Sequence, residues 1–543
     1  MNAKFYILLI VLALVFWILS LIQGIDFYAL NYNEPIFLAL NPLFWVSLLF
    51  IALLLIAAIM KERLDVLCIV VFLIIVIVGG IPYLIGLGRS HDSYQQLGFA
   101  MYIVDNGQKM NSLNFISGWP GFHILVASWI LITGVEPTLL IKLFPFLNYA
   151  MFSFGLFLFI RTLFHDSRKA LLAVLFTLLA SNVFFFDFQM NWFTFCLISI
   201  FILTLISSDL KKNILAPIIF FTMTISHSIN PVVSLFVVFT MSFFNLNLRK
   251  NRPIIYLCAV LYLVWTLYSG NYLITAIVNA FSKTNLSQSV GVLQGTTQYV
   301  LLPQNIPQLF NRIILAALLV TLLMTLLRKN LRKIYAPVSI PVILIISLSF
   351  LFPIVTSGFT SLAFKILPVA YMSGLPLVYL VLHDKLLNSA KSKRYLCRLN
   401  NRNTRKMILS ICLVGLLFGF TFSAYEKEKF YAVTATNLDS AIFVSNSFHN
   451  GSIRVLWSGA LLELYYVLYP NMTRIQPISS LELQSGLRAD IAVVNNGWFD
   501  PAVASEHDIT SDDFRVLNNV TRDFNLIYSD GGYSDIYAPA GTP

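Results

Sequence analysis

"LDVLCIVVFLIIVIVGGIPYLIGLGRSHDSYQQLGFAMYIVDNGQ", residues Leu64 to Gln108, decides how this chain is read. Its first half, roughly 64–86, is almost unbroken hydrocarbon side chain and, coiled as a helix, is long enough to cross about 30 Å of lipid. Its second half opens on Arg89, Ser90, His91 and Asp92, then places Tyr94, Leu97, Met101 and Val104 at helical spacing. A span followed at once by ionisable side chains and an amphipathic helix predicts a chain that leaves the bilayer and lies along its surface, with a carboxylate and an imidazole just above the lipid. Ser90 or Asp92 can cap that helix, and a capping role alone is the plainer reading of Asp92.

The rest of the sequence extends the pattern. Hydrophobic residues make up 58% and charged residues only 11%, where a soluble domain carries about a quarter charged. The apolar residues come in runs of helical span length, which predicts an α-helical polytopic membrane protein. The spans are placed at 4–22, 43–60, 64–86, 138–160, 169–186, 190–207, 214–229, 231–246, 254–274, 308–327, 334–353, 366–382 and 407–424, about thirteen in all. The N-terminal run resembles a signal peptide but has no clear small-x-small cleavage site, and it is taken as the first span.

The net charge of +11 sits in short clusters between apolar runs, not on one aromatic-interleaved face, which argues against nucleic acid as a partner. Alternate loops hold Lys61 and Arg63; Arg161, Arg168 and Lys169; Lys211 and Lys212; Arg249, Lys250 and Arg252; Arg328, Lys329, Arg332 and Lys333; and the basic loop from Lys385 to Lys406. By the positive-inside rule the N-terminus is cytoplasmic and the tail beyond about residue 425 lies outside. "GWPGFHILVASWILITG" (118–134) is apolar but short for a span, and counting it as one would invert every later loop. It is therefore laid in the outer interface, where Trp119 and Trp129 suit the headgroup region. Asn-x-Ser/Thr acceptor patterns at Asn285, Asn450, Asn471 and Asn519 all fall on segments read as outside. The five cysteines form neither a disulfide framework nor a CxxC pair.

Two domains follow: a transmembrane domain at 1–424 and an external C-terminal α/β domain at 425–543. In the second, β-like runs such as "SIRVLW", "DIAVVNN" and "FNLIYSD" alternate with helix-like ones such as "SGALLELYYVL" and "ITSDDFRVLNNV". It has no GxGxxG or P-loop pattern, and no internal repeat is apparent along the chain.

Other polar residues gather on the same side as His91 and Asp92. Asp187 and Asn191, in "FFFDFQMNWFTF", occupy the turn between the fifth and sixth spans, and His227, in "SHSINP", ends the seventh with Pro231 opening the eighth. Ionisable groups at membrane depth are costly and are functional candidates by default. Asp92, Asp187 and His227 together could hold Mg²⁺ or Mn²⁺, or one carboxylate could act as base; the plainer readings are a turn-capping Asp187 and a hydrogen-bonded helix-end His227. Lys365, in "SLAFKILPVAYMSGLPLVYL", opens the twelfth span at the outer interface, where an ammonium can snorkel or hold a lipid phosphate. The outer loop from Ser269 to Gln308, rich in Asn, Gln, Ser and Thr, reads as a gate or acceptor-binding loop.

At these residues the chain resembles the GT-C superfamily of polytopic glycosyltransferases, which use polyprenyl-phosphate-linked sugars. "SHDSYQQLGFAMYIVDNGQ" and "GWPGFHILVASWILITGVEP" are similar to the superfamily's outer acidic loop and interface helices, Asp187 to its second acidic site, and "FKILP" to its late basic residue followed by proline. The resemblance implies a transferase with Asp92, His91 and Asp187 as catalytic residues. It also implies Arg89, Lys365, Tyr94, His227 and Asn191 as contacts for substrate or lipid phosphate. Three departures stand out: no WWDYG motif, an acidic loop after the third span instead of the first, and His-Asp in place of paired acids. These favour a single-sugar transferase over an oligosaccharyltransferase.

The expected partners are a polyprenyl (dolichyl) phosphate sugar donor and a glycan, lipid or protein acceptor, with Mn²⁺ or Mg²⁺ as the conceivable cofactor. The expected location is a plasma membrane, with an archaeal cell surface suiting the acceptor patterns and the absence of disulfides. A transporter or lipid-linked-sugar flippase would carry ionisable residues at mid-span, whereas most spans here lack them. A noncatalytic assembly subunit would use the C-terminal domain as a binding module.

Overall fold

The structure is a computed structural model describing residues 3–24, 40–80, 83, 91–108, 118–180, 188–206, 210–269, 306–355, 374–382, 402–423 and 443, with strands at 453–456, 475–477, 491–495, 524–529 and 534–539. Arg89, Asp187, Lys365, the four acceptor asparagines, most of the 269–308 loop and the two helix-like runs of the C-terminal region lie outside these residues.

The helices are α1 (Ala3–Gln23), α2 (Pro42–Met60), α3 (Leu64–Gly79), α4 (His91–Asn106), α5 (Gly121–Thr133), α6 (Pro137–Phe164), α7 (Ser167–Ala180) and α8 (Met190–Ile206). They continue as α9 (Leu210–Ser226), α10 (Asn230–Met241), α11 (Leu246–Lys250), α12 (Arg252–Ser269), α13 (Ile306–Leu327), α14 (Lys329–Val355) and α15 (Arg402–Ser423). A further helical stretch covers 374–382. Among the described residues, α1, α2 and α6 are long and apolar enough to cross a membrane outright, and eight shorter apolar helices accompany them. The chain is a multi-pass integral membrane protein.

The predicted spans and the helices differ at their ends, and basic residues account for much of the difference. α9 begins at Leu210, so Lys211 and Lys212 lie in its first turn instead of in a loop. α14 begins at Lys329, one residue after Arg328, and α15 at Arg402, inside the stretch read as a basic loop. Lys and Arg have good helix propensity, and their stems reach along a helix end to carry the charge out of lipid. α3 is described as far as Gly79, and most of the rest of the predicted span, up to residue 86, lies outside the described residues.

Lipid is as apolar as leucine, so close packing and hydrogen bonds hold these helices together. Asn41 makes the first hairpin: its side chain accepts from the Phe44 N–H to cap α2, while its Nδ2 donates to the Ser20 and Gly24 carbonyls that end α1. Further along, the Ser47 hydroxyl donates to Ala13 O at 2.8 Å, and Trp17 meets Phe44 edge-on at 5.9 Å. α6 is the central post, packing on α3, α7 and α8. Its Gly155 is needed because a Cβ there would collide with the Ser199 hydroxyl of α8. α15 closes the bundle against α2, α7 and α13. Large apolar side chains turned outward on α1 and α12, such as Phe5, Val11, Val260 and Leu267, suit contact with lipid.

At one end of the bundle Glu62, in the tight α2–α3 turn, pairs with Arg168 at 3.2 Å and Lys406 at 2.6 Å. These contacts hold Glu62 in the left-handed region at φ 56°, and the two cations keep its carboxyl well below the usual range, at about 2.

The strands β1 (Ile453–Leu456), β2 (Ile475–Pro477), β3 (Ile491–Asn495), β4 (Phe524–Ser529) and β5 (Ser534–Pro539) form one sheet in the order β2-β1-β3-β5-β4. β1 runs parallel to β2 and β3, and β5 is antiparallel to β3 and β4. Three of the strands lie in the runs singled out above. β2 and β5 were not among them, being a three-residue strand ending in proline and a "SDIYAP" segment without marked β-branched character.

Candidate functional site

The starts of α4, α5, α8 and α10 converge at the end of the bundle opposite Glu62. α4 places His91 and Asp92 in its first turn, so Asp92 lies within the helix and is not its cap. Asp92 precedes Gln96 by four residues in the same helix. Tyr94 and Leu97, expected on the apolar stripe, are buried at 3% and 0% exposure.

The start of α4 and the residue approaching α8 meet here. Phe188, the residue after Asp187, donates its backbone N–H to Oγ of Ser93, the residue after Asp92, at 3.2 Å in a buried setting. One turn along α4, Gln96 Oε1 lies 2.6 Å from His123 Nε2. Because an amide oxygen only accepts, Nε2 carries the proton and Nδ1 keeps its lone pair. His123 is 2% exposed, and burial pushes its pKa down to about 3, so the ring is neutral.

Four phenylalanines form a floor beneath these polar groups. Phe122 packs on Phe144, Phe188 and Phe193 at 5.5, 5.2 and 5.6 Å between ring centroids, and Phe144 on Phe188 at 4.9 Å. α5 spans 13 residues, about 20 Å of rise, which is short of the hydrocarbon thickness. Trp119 is 1% exposed and belongs to the interior instead of the headgroup region. Gly121 lets the start of α5 approach the end of α9, where a Cβ would stand 2.5 Å from Ile225 Cγ1 and 2.7 Å from Ser226 Oγ.

That approach leads to the "SHSINP" turn. His227 Nδ1 accepts from the N–H groups of Ile229 and Asn230 at 3.3 and 3.2 Å, stitching α9 to α10. Asn230 Nδ2 donates to Asn191 O at 2.6 Å and to the Thr194 hydroxyl at 2.7 Å, and Tyr262 O–H donates to Ser228 O at 2.9 Å. Asn191 therefore sits in the first turn of α8, its carbonyl holding α10, while His227 has one ring nitrogen committed to the backbone.

Among the described residues, Tyr94, Asn191 and His227 and the first turn of α4 with His91 and Asp92 come to one end of the bundle. Ser93, Gln96 and His123 were missed in the sequence. His123 is the one ionisable interruption in the apolar run from Phe122 to Thr133, and Gln96 follows Asp92 at helical spacing; together these were the available signal.

No cluster of three or more His, Cys, Asp or Glu side chains able to hold a metal occurs among the described residues. Ser93, Gln96 and His123 offer a hydroxyl, an amide and one imidazole without a carboxylate, and by themselves do not suit a hard divalent cation.

No family model matches the sequence, and no curated protein is significantly similar to it. Solved structures are similar in fold. ArnT from Cupriavidus metallidurans bound to undecaprenyl phosphate aligns over 88% of this chain and 98% of its own, with a TM-score of 0.54 and 12% identity. The Archaeoglobus fulgidus oligosaccharyltransferase, tethered to an acceptor peptide containing the NVT sequon, aligns over 90% of this chain and 75% of its own, with a TM-score of 0.52 and 11% identity. The chain has the fold of the GT-C glycosyltransferases, over most of its length.

Proposed function

We propose that the protein is a membrane glycosyltransferase that moves one sugar from a polyprenyl-phosphate donor to an acceptor hydroxyl at the bundle end where α4, α5, α8 and α10 meet. The hydrogen bond from the Phe188 N–H to Ser93 Oγ carries the proposal, because it ties together the two segments that hold Asp92 and Asp187. The fold shared with a structure containing undecaprenyl phosphate supports a polyprenyl phosphate as donor carrier.

In this reading Asp92 takes the proton as the acceptor oxygen attacks the anomeric carbon, and the lipid phosphate leaves. Arg89 and Lys365 offset the charge of the departing phosphate. His91 adjoins the base, and Tyr94, Asn191 and His227 contact the substrate or its lipid phosphate. Asp92 and Asp187 are the carboxylates that would hold Mg²⁺ or Mn²⁺, which would supply further charge neutralisation. Residues 1–424 form the transferase body, and 425–543 an outer domain that positions the acceptor.

The site end faces outside. Arg63, Arg161, Arg168, Arg249, Arg252 and Lys406 all belong to the opposite helix ends, the arrangement expected when those ends are cytoplasmic.

The test compares donor turnover by Asp92→Asn, Asp187→Asn and the double variant in purified, folded protein. Residues acting as one unit give a double variant barely worse than either single one. Full activity in both single variants sinks the proposal.

A further inference from the structure

An apolar cavity, partly open to its surroundings, lies between α6, α8, α10, α14 and the 374–382 stretch. Its walls are aliphatic and aromatic, and Ser199 contributes the one hydroxyl among the lining side chains. Along α6 it runs from Phe152 to Phe164, about 12 to 30 Å of helical rise beyond Phe144. On α8 it runs from Phe195 to Ile202 and on α10 from Val233 to Met241, so it extends from about one turn beyond the candidate site to the opposite helix ends.

The other end of the cavity is basic. Met241, a lining residue, ends α10, and Ser242 beside it accepts from Arg252 Nε at 3.2 Å. Arg252 lies 5.0 Å from the centroid of the Phe243 ring, and Arg249 Nη2 donates to Phe243 O at 3.0 Å. Arg332, exposed on α14, is six residues ahead of the lining residue Val338. Among the described residues none of these three arginines pairs with a carboxylate. An apolar slot with arginines on the segments that continue beyond its Met241 and Val338 end matches an acyl chain attached to an anionic headgroup.

We propose that this cavity binds one acyl chain of an anionic phospholipid from the leaflet at the Glu62 end, with its phosphate held by Arg249, Arg252 and Arg332. The lipid is a packing element between α10 and α14. It is separate from any sugar donor, and the proposal stands whether or not the protein transfers sugar.

The test uses delipidated protein in detergent, with thermal unfolding and native mass spectrometry in the presence of phosphatidylglycerol, phosphatidylcholine or polyprenyl phosphate. Phosphatidylglycerol is expected to raise the melting temperature and remain bound. The Arg252→Gln/Arg332→Gln variant should weaken retention about tenfold, a change near 1.4 kcal/mol. Val237→Phe, which fills the slot, should abolish binding, with Val342→Phe as a second filling variant should the first fail to fold. Equal effects of phosphatidylglycerol and phosphatidylcholine, in wild type and arginine variant alike, would overturn the proposal. So would displacement of bound phosphatidylglycerol by polyprenyl phosphate.

Discussion

Ser93 and Phe188 stand 95 positions apart in the sequence and are joined by a buried hydrogen bond, the Phe188 N–H donating to Ser93 Oγ at 3.2 Å. Each directly follows an aspartate in the sequence, and the bond fixes the start of α4 against the residue that leads into α8. Ser93→Ala would leave the N–H buried without its acceptor, at a cost of about 1–3 kcal/mol. The expected result is a lower melting temperature and a fall in kcat larger than any rise in KM. Ser93→Thr, which keeps the hydroxyl, should recover most of both. Unchanged kcat in a destabilised Ser93→Ala protein would confine the bond to a structural role.

His123 gives the stability a pH dependence of definite sign. The unfolded imidazole titrates near 6.5 and the buried one at about 3, so between these values the unfolded state binds more protons and stability falls as pH is lowered. Above pH 6.5 the contribution is complete. At pH 5 about 2 kcal/mol is lost, from 1.36 kcal/mol per pH unit below the unfolded value. A His123→Phe/Gln96→Leu double variant removes both buried polar partners and should flatten the melting-temperature profile between pH 7 and 5. A profile as steep as wild type would show that another group titrates.

Glu62 acts in the opposite pH direction from a raised base. Its folded pKa of about 2 lies below the ordinary carboxylate value of 4.5, so its stabilisation is present above pH 4.5 and lost as pH falls toward 2. The side chain is 30% exposed, and solvent screening holds the contribution of its pairs to about 1 kcal/mol. Glu62→Gln should lower the melting temperature at neutral pH, with the difference from wild type shrinking in 1 M salt. A difference independent of salt would assign the effect to the left-handed backbone at this position instead.

Gly121 tests the coupling between the two histidine segments. A Cβ there would stand 2.5 Å from Ile225, so Gly121→Ala should push α5 from α9 at a cost of about 1–3 kcal/mol. Because His123 lies two residues on, transfer should fall along with stability. Full activity at reduced stability would show that the chemistry tolerates movement of α5.

The helices were largely legible because the apolar runs are long and uninterrupted, and the predicted ends erred mainly where lysine and arginine continue a helix, as at Lys211, Lys329 and Arg402. The convergence of Tyr94, Asn191 and His227 was legible as a shared side of the membrane. Their partners were not, because Ser93, Gln96 and His123 are joined by tertiary contacts that span 27 or more positions and leave no local periodicity. Trp119 was misplaced because an interfacial tryptophan and a buried one look alike in sequence.

The most direct test of the account is single-turnover transfer from a polyprenyl-phosphate sugar by purified protein, comparing wild type with Asp92→Asn under conditions where both bind the donor. Wild type should turn over, and the variant should bind equally but react at least about 100-fold more slowly, the usual scale for loss of a general base. Donor bound by both proteins and consumed by neither, with candidate hydroxyl acceptors supplied, would contradict it.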